Sequence, residues 1–305
     1  MLSYLHEFHA GNHADILKHL TLLYVLEYLN KKNKPYSFFD THSGAGIYNL
    51  KSEEALKTGE AERGIEKLSE VYKKNPRSVP NELKNYLDFV QKCKKNNFYP
   101  GSPFIEWREA LKDAFICNTE LHPKEFAKLS ENLKKEEKAV LCQNIMIKNT
   151  SGWSILKSNV PPQIKRGAVL CDPSYEELSD YYNAGELLSS VHLKWSGATI
   201  MLWYPLLANK TDEIDSMKQQ IIASVKNRDF HTEILDASLC IDSEDSHIET
   251  TLEASAGSLK PRLYGSGMLV VNPSWGLSEH LKACLSFITP VLQNENNGSY
   301  SVELF

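Results

Sequence analysis

Five stretches of the chain place an acid, a histidine, a serine or an aromatic directly after an apolar run, and any chemistry is expected there. They are Asp40-Thr41-His42, Glu120, Ser151-Gly152, Asp172-Pro173-Ser174-Tyr175 and Trp203-Tyr204-Pro205. The fourth is the most pointed. Ala168-Val169-Leu170-Cys171 stops abruptly in an acid, a proline and then an aromatic, which reads as a buried strand delivering a carboxylate and a flat ring to the edge of a sheet. Asp40 leads into Thr41-His42-Ser43-Gly44-Ala45-Gly46, a strand end followed by a glycine turn. Such a unit opens many nucleotide-binding folds, because glycine lets a ligand approach the backbone closely. The same turn also serves folds that hold no ligand. Glu120 follows the next apolar run and can accept hydrogen bonds from both hydroxyls of a ribose. In a simple dinucleotide fold that acid lies about 20 residues after the glycines. Here a long segment separates the two, which weakens the case for a nicotinamide enzyme.

In an open α/β sheet, ligands sit beyond the carboxyl ends of the strands, so these stretches require aligned strands. Apolar runs predict strands at 36–40, 114–119, 168–171, 198–204, 230–235 and 266–272, with a less regular strand region at 139–149. Helical spacing predicts helices at 13–28, 102–111, 124–138, 211–226 and 277–292. Asn12 reads as the N-cap of the first, and Asp15 as an acid in its first turn. Strands alternating with helices argue for a mostly parallel, seven-stranded sheet covered on both faces. The tail from Tyr300 to Phe305 reads as an edge strand beyond that count. Residues 51–98 carry two apolar stripes, Ile65, Leu68, Val71, Tyr72 and Leu83, Tyr86, Leu87, Val90, with no strand between them. They are expected to form a helical subdomain inserted into one domain built from 1–50 and 99–305.

A chain of 305 residues can bury a sizeable core. No apolar run approaches the roughly 20 residues needed to span a bilayer, and the start of the chain lacks the basic-then-apolar pattern of a signal peptide. The six cysteines are isolated, without metal-site spacing, and suit a reducing compartment. A cytoplasmic protein is expected. The net charge of −5 weighs against nucleic-acid binding by bulk charge. Local basic faces remain open at Lys31, Lys32 and Lys34, at Lys165 with Arg166, and at Lys260 with Arg262. His6, His9, His13 and His19 crowd the N-terminus but follow no metalloprotease or zinc-finger spacing, so no metal site is expected.

Seven segments, in order, give these features a common source. They are Phe8 to Asp15 with Leu17-Lys18-His19, Asp40 to Gly46, Tyr99 to Pro103, Glu120-Leu121-His122-Pro123, Asp172 to Glu176, Leu202-Trp203-Tyr204-Pro205, and Ser266-Gly267-Met268 leading to Asn272-Pro273. Across nearly its whole length the chain resembles the RlmJ family of 23S rRNA adenine-N6 methyltransferases. The resemblance implies a Rossmann-like class I methyltransferase core, S-adenosylmethionine as methyl donor and 23S rRNA as partner. It places cofactor contacts on His19, His42, Ser102, Glu120, Ser151 and Gly152, and the catalytic acid on Asp172. It puts Tyr4, His6 and Lys18 near the target base, with Tyr175 stacking on it. Two positions depart from the family pattern. Ser174 stands where a second proline is usual, and Ser151 where an acid would hold the cofactor's adenine amino group. A DNA adenine-N6 methyltransferase, or a nucleic-acid-binding protein with weakened turnover linked to the use of external DNA, stand as alternatives. A monomer is favoured.

Overall fold

The computed structural model describes residues 5–96, 98–244 and 263–305. Its first long element is helix α1, His13–Asn30. The Asn12 side chain accepts the Asp15 N–H at 2.9 Å and caps the helix. Ile16, Leu17, Leu20, Leu22, Val25 and Leu26 are all buried, so the helix is enclosed on every side rather than half-exposed.

Strand β1, Ser37–Asp40, follows. A two-residue strand β2, Ile47–Tyr48, pairs antiparallel with β3, Tyr99–Pro100. Between these two strands the described residues form α2, Glu53–Thr58, a wide helical turn at Glu62–Glu66, α3, Lys67–Lys74, and α4, Asn81–Lys95. Then come α5, Ser102–Glu109, β4, Phe115–Thr119, and α6, Pro123–Lys135. Next are β5, Asn144–Lys148, α7, Gly152–Asn159, β6, Gly167–Cys171, and α8, Leu178–Lys194. The chain continues through β7, Thr199–Leu206, α9, Thr211–Arg228, and β8, Ile234–Cys240. It ends with β9, Gly265–Val271, α10, Leu277–Leu292, and β10, Ser299–Leu304.

Among the described residues the main sheet has eight strands, in the order β10-β8-β9-β7-β6-β1-β4-β5. Strands β5, β4, β1, β6 and β7 pair in parallel, whereas β9 runs antiparallel to both β7 and β8. The expected count of seven is thus corrected to eight. Ser299–Leu304 pairs antiparallel with β8 along its whole length, giving that edge a further partner. The strand expected at 230–235 also shifts, to Ile234–Cys240. The Asp229 carboxylate accepts the His231 N–H at 3.0 Å and the Thr232 hydroxyl at 3.3 Å, which holds 229–232 in a turn. Helix α8 adds an element that apolar spacing did not single out.

Successive strand residues feed opposite faces. Phe38, Leu170, Met201, Met268 and Val270 join a core with α1, α4, α5 and α10. Phe39, Val169, Cys171, Ile200, Leu202 and Leu269 join a second core with α7, α8 and α9. This period of two is what a sheet covered on both sides demands, and full burial of each large apolar side chain contributes about 1.5–3 kcal/mol. Ile65, Leu68, Leu83, Tyr86, Leu87 and Val90 of the segment between β2 and β3 join the first of these cores. No helix among the described residues is long and apolar enough to cross a membrane.

Candidate active site

Strand β1 lies between β4 and β6, where the chain order reverses, so a crevice opens beyond its carboxyl end. Asp40 closes the strand and is buried. Its Oδ2 accepts the Ser102 hydroxyl at 2.8 Å and its Oδ1 accepts the His42 N–H at 3.1 Å. Burial pushes the Asp40 carboxyl up to about 6, against the lowering effect of bonds from Ser102, Glu106 and the His42 N–H. The turn beyond holds Gly44 at φ +59°, a conformation natural to glycine. That geometry aims the Gly44 N–H at Glu120 Oε2, 2.8 Å away, and the His122 N–H meets Oε1 at 2.7 Å. Burial raises the Glu120 carboxyl, and the two backbone donors oppose the rise. Each Glu120 oxygen accepts one backbone N–H and keeps a lone pair for a further donor.

His19 lies one turn along α1 from Asp15, wholly buried. Its Nδ1 is 3.2 Å from the Tyr99 hydroxyl, which meets the Tyr86 hydroxyl at 3.0 Å. Its Nε2 has no hydrogen-bond partner among the described residues. Burial lowers the imidazole to about 3, so His19 is neutral near pH 7. His42 is likewise lowered by burial, to about 4, and its Nδ1 is 2.8 Å from the Thr41 hydroxyl. Gly152 opens α7 hard against β1. A Cβ at this position would lie 2.2 Å from the Thr41 carbonyl oxygen.

His19, His42, Ser102, Glu120, Ser151 and Gly152 all line one cavity of about 350 Å³, together with Asp172. That volume falls in the range of small-molecule sites. Its polar atoms suit S-adenosylmethionine: a carboxylate open to two ribose hydroxyls, and a buried neutral imidazole with one nitrogen unpaired. A larger cavity of about 920 Å³ is lined by His9, Asn12, Asp15, Lys57, Arg63, Tyr175 and Pro205 among others. The two cavities share His6, Lys18, Asp172, Ser174 and Trp203.

At that junction, Lys18 Nζ lies 2.6 Å from Asp172 Oδ2 and 3.0 Å from Asp15 Oδ1. Asp172 Oδ1 makes no hydrogen bond among the described residues. Tyr175 follows at φ +53°, a strained conformation for a bulky residue. Its hydroxyl donates to the Trp203 carbonyl at 2.8 Å, and its ring packs 4.6 Å from that of Tyr181. Tyr175 lines only the larger cavity and is 8% exposed, so most of its surface is committed to packing.

The family model for ribosomal RNA large subunit methyltransferase D, RlmJ, matches residues 33–305 of this chain. The chain belongs to the RlmJ family. Ribosomal RNA large subunit methyltransferase J of Haemophilus influenzae is 32% identical, over 99% of this chain and 98% of that protein. The Escherichia coli protein of the same name is 31% identical over the same shares. A Legionella pneumophila protein of known crystal structure is 26% identical, with a TM-score of 0.78, over 97% of this chain and 98% of that one. In this RlmJ-family chain the strand order is that of the Rossmann-like class I methyltransferase architecture, with β10 as an eighth strand.

Of the RlmJ-type residues expected near a substrate, His6, Lys18 and Asp172 come together, while Tyr4 lies outside the described residues. Two residues around the junction had no individual role assigned from the sequence. Trp203 lines both cavities with an indole N–H that has no partner among the described residues. Asp15 was read only as a first-turn acid, yet its spacing of three from Lys18 and four from His19 puts all three on one helix face. The basic clusters fall elsewhere. Arg166 Nη1 donates to the Lys34 carbonyl at 2.6 Å, so Lys34 and Lys165-Arg166 meet at the amino ends of β1 and β6, opposite the cavities. Lys260 and Arg262 lie outside the described residues.

Glu120→Gln tests whether Glu120 binds a cofactor ribose. The substitution removes the charge and turns one amide N–H toward a backbone N–H. Cofactor affinity is expected to fall about 10- to 150-fold, in line with the ~1.5–3 kcal/mol carried by a hydrogen bond to a charged group. Calorimetric titration giving an unchanged Kd would remove Glu120 from the cofactor site.

Proposed function

We propose that this protein transfers a methyl group from S-adenosylmethionine to the N6 amino group of an adenine in 23S rRNA. The observation that carries the reading is the meeting of two cavities at Asp172, one fitted to the cofactor and the other larger and open. When bound, the cofactor supplies an electrophilic methyl carbon. The residues of the chain then have to make a poor nucleophile competent, because the lone pair of an exocyclic adenine nitrogen is delocalised into the ring.

Lys18 holds Oδ2 of Asp172, which leaves Oδ1 to accept one N–H of the amino group. The backbone carbonyl of the following proline, Pro173, accepts the other. Two acceptors set in this way favour a tetrahedral nitrogen and turn its lone pair toward the cofactor cavity. The gain is orientation and electrostatic preorganisation rather than early proton removal. The adenine has to be unpaired or extruded to reach this depth. Tyr175 contributes its remaining exposed surface to the wall against which the base rests. Residues 51–98 form an insertion in the catalytic domain made by 1–50 and 99–305. The relatives named for ribosomal RNA large subunit methylation support RNA as the substrate, and a monomer in the cytoplasm completes the reading.

Labelled S-adenosylmethionine incubated with protein-free 23S rRNA, a fragment of it, and DNA tests the proposal. Label in rRNA, recovered as N6-methyladenosine after digestion, supports it. Label in DNA alone would assign the other polynucleotide, and binding without label would assign a protein that has lost turnover.

Ser151 gives a second check. It stands beside Gly152 at the cofactor cavity, and its hydroxyl makes no capping hydrogen bond to α7. A charged acceptor there would hold the adenine amino group of the cofactor more firmly than a hydroxyl. Ser151→Asp is therefore expected to tighten cofactor binding about three- to tenfold, roughly 1 kcal/mol. Calorimetry showing equal or weaker binding would place the cofactor's adenine elsewhere.

A further inference from the structure

We propose that Asp15 is a positioning residue for methyl transfer, acting through Lys18 to keep one oxygen of Asp172 open for the substrate. The proposal rests on the functional reading above and extends it to a buried residue that does not line the cofactor cavity. Asp15 is 2% exposed, yet donors converge on both of its oxygens. Oδ1 lies 3.0 Å from Lys18 Nζ and 3.9 Å from His19 Nε2. Oδ2 lies 3.0 Å from His6 Nε2 and accepts the Gly11 N–H at 2.8 Å. Burial alone would raise this carboxyl; the proximity of His6 and Lys18 and the His6 hydrogen bond outweigh it and hold Asp15 well below the usual range. A fully buried carboxylate is costly unless it is paired in this way.

The consequence lies in the geometry of Lys18. Its ammonium sits between two carboxylates, Asp15 on its own helix and Asp172 at the end of β6. A lysine side chain has several free torsions. Without the pull of Asp15, the ammonium is freer to swing across both oxygens of Asp172 and cover Oδ1, the atom left for the adenine amino group. With Asp15 anchoring it from behind, the ammonium engages Oδ2 alone. The same carboxylate fixes His6 and the Gly11 backbone, so the segment before α1 is registered to the site by one residue.

The test uses Asp15→Asn in the full chain. Asparagine keeps the shape and an acceptor for the Gly11 N–H but loses the charge that holds Lys18. Single-turnover methyl transfer to protein-free 23S rRNA is expected to slow about 10- to 100-fold, the scale of a misplaced reacting group. Cofactor Kd should stay within about threefold, since Asp15 does not line that cavity. Combined with Lys18→Met, the double variant should be no slower than Lys18→Met alone, because both act through one contact. A purely structural Asp15 would instead lower the melting temperature and give multiplying losses.

Amine acetylation read by mass spectrometry gives an arm that needs no substrate. In the native protein Lys18 should react far more slowly than the exposed Lys51, and in Asp15→Asn it should react at least about fivefold faster than in the native protein. Unchanged Lys18 reactivity, or additive losses in the double variant, overturns the role of Asp15. A native protein that labels no rRNA overturns the functional reading instead, while the acetylation result still decides whether Asp15 holds Lys18.

Discussion

Replacing Asp172 by alanine should lower methyl transfer by about a thousandfold or more while leaving cofactor affinity within a few-fold of the native value. Removing one preorganised electrostatic partner from a transition state costs about 2.7–4 kcal/mol, or roughly 10²–10³ in rate. Asp172 stands above that range because two functions end on it. In the proposed mechanism its Oδ1 accepts an N–H of the amino group, and its Oδ2 anchors Lys18 at 2.6 Å. Alanine removes the first outright and leaves the ammonium with Asp15 as its carboxylate partner, displaced from the substrate. The proposed cofactor contacts should survive, since Glu120 and its two backbone donors stand at the end of another strand, and His19 stands on α1. The expected signature is therefore a collapse in the single-turnover rate with a calorimetric Kd for S-adenosylmethionine that barely moves. Asp172→Asn should fall nearly as far, because an amide presents an N–H where the base offers its own. Full turnover in either variant would remove Asp172 from the mechanism.

The strand ends were legible in the sequence because each is an apolar run cut short by a polar residue. Asp40, Glu120 and Asp172 therefore fell on the carboxyl edge of the sheet, as the alternation of strand and helix demands. Elements whose order comes from tertiary packing were harder to read. Helix α8 runs through Ser179, Asn183, Gly185 and Ser189, residues with weak helix preference, and is held by Tyr181, Leu187, Leu188 and Val191 in the second core. The turn before β8 is set by one Asp229 carboxylate, a local bond that outcompetes the alternating pattern at 230–233.

The pairing of Lys18 with Asp172 spans 154 positions and leaves no local trace in composition or spacing. Asp15 was visible as a helix-start acid, a common feature that hid its burial under donors from His6, Lys18 and the Gly11 backbone. Charge clusters misled in the opposite direction. Lys34 and Arg166 look like a nucleic-acid face in sequence, but the guanidinium of Arg166 is spent on the Leu29 and Lys34 carbonyls and on the Tyr36 ring. A basic run identifies solvated charge; where it lies relative to the strand ends depends on topology.

The second large effect is expected at Gly152, where one methyl group should disable the cofactor cavity without touching any charged residue. An added Cβ would lie 2.2 Å from the Thr41 carbonyl oxygen and 2.5 Å from the Thr41 Cβ, so backbone must move. Thr41 has little freedom to yield. Its N–H donates to the Leu170 carbonyl at 3.1 Å, and its own carbonyl accepts the Thr119 hydroxyl at 3.0 Å. The start of α7 is the freer side, and it carries Ser151 and Trp153 with it, both of which line the cavity. Overpacking of this kind costs about 1–3 kcal/mol. If α7 shifts in the free protein and must return for the cofactor to bind, that energy appears as a loss of up to about 150-fold in cofactor Kd. If the core around Ile155 and Leu156 prevents the shift, the same energy appears in the melting temperature instead. Calorimetry and thermal unfolding of Gly152→Ala therefore have to be read together: a variant with native Kd and native melting temperature would show that α7 does not form the rigid wall of this cavity.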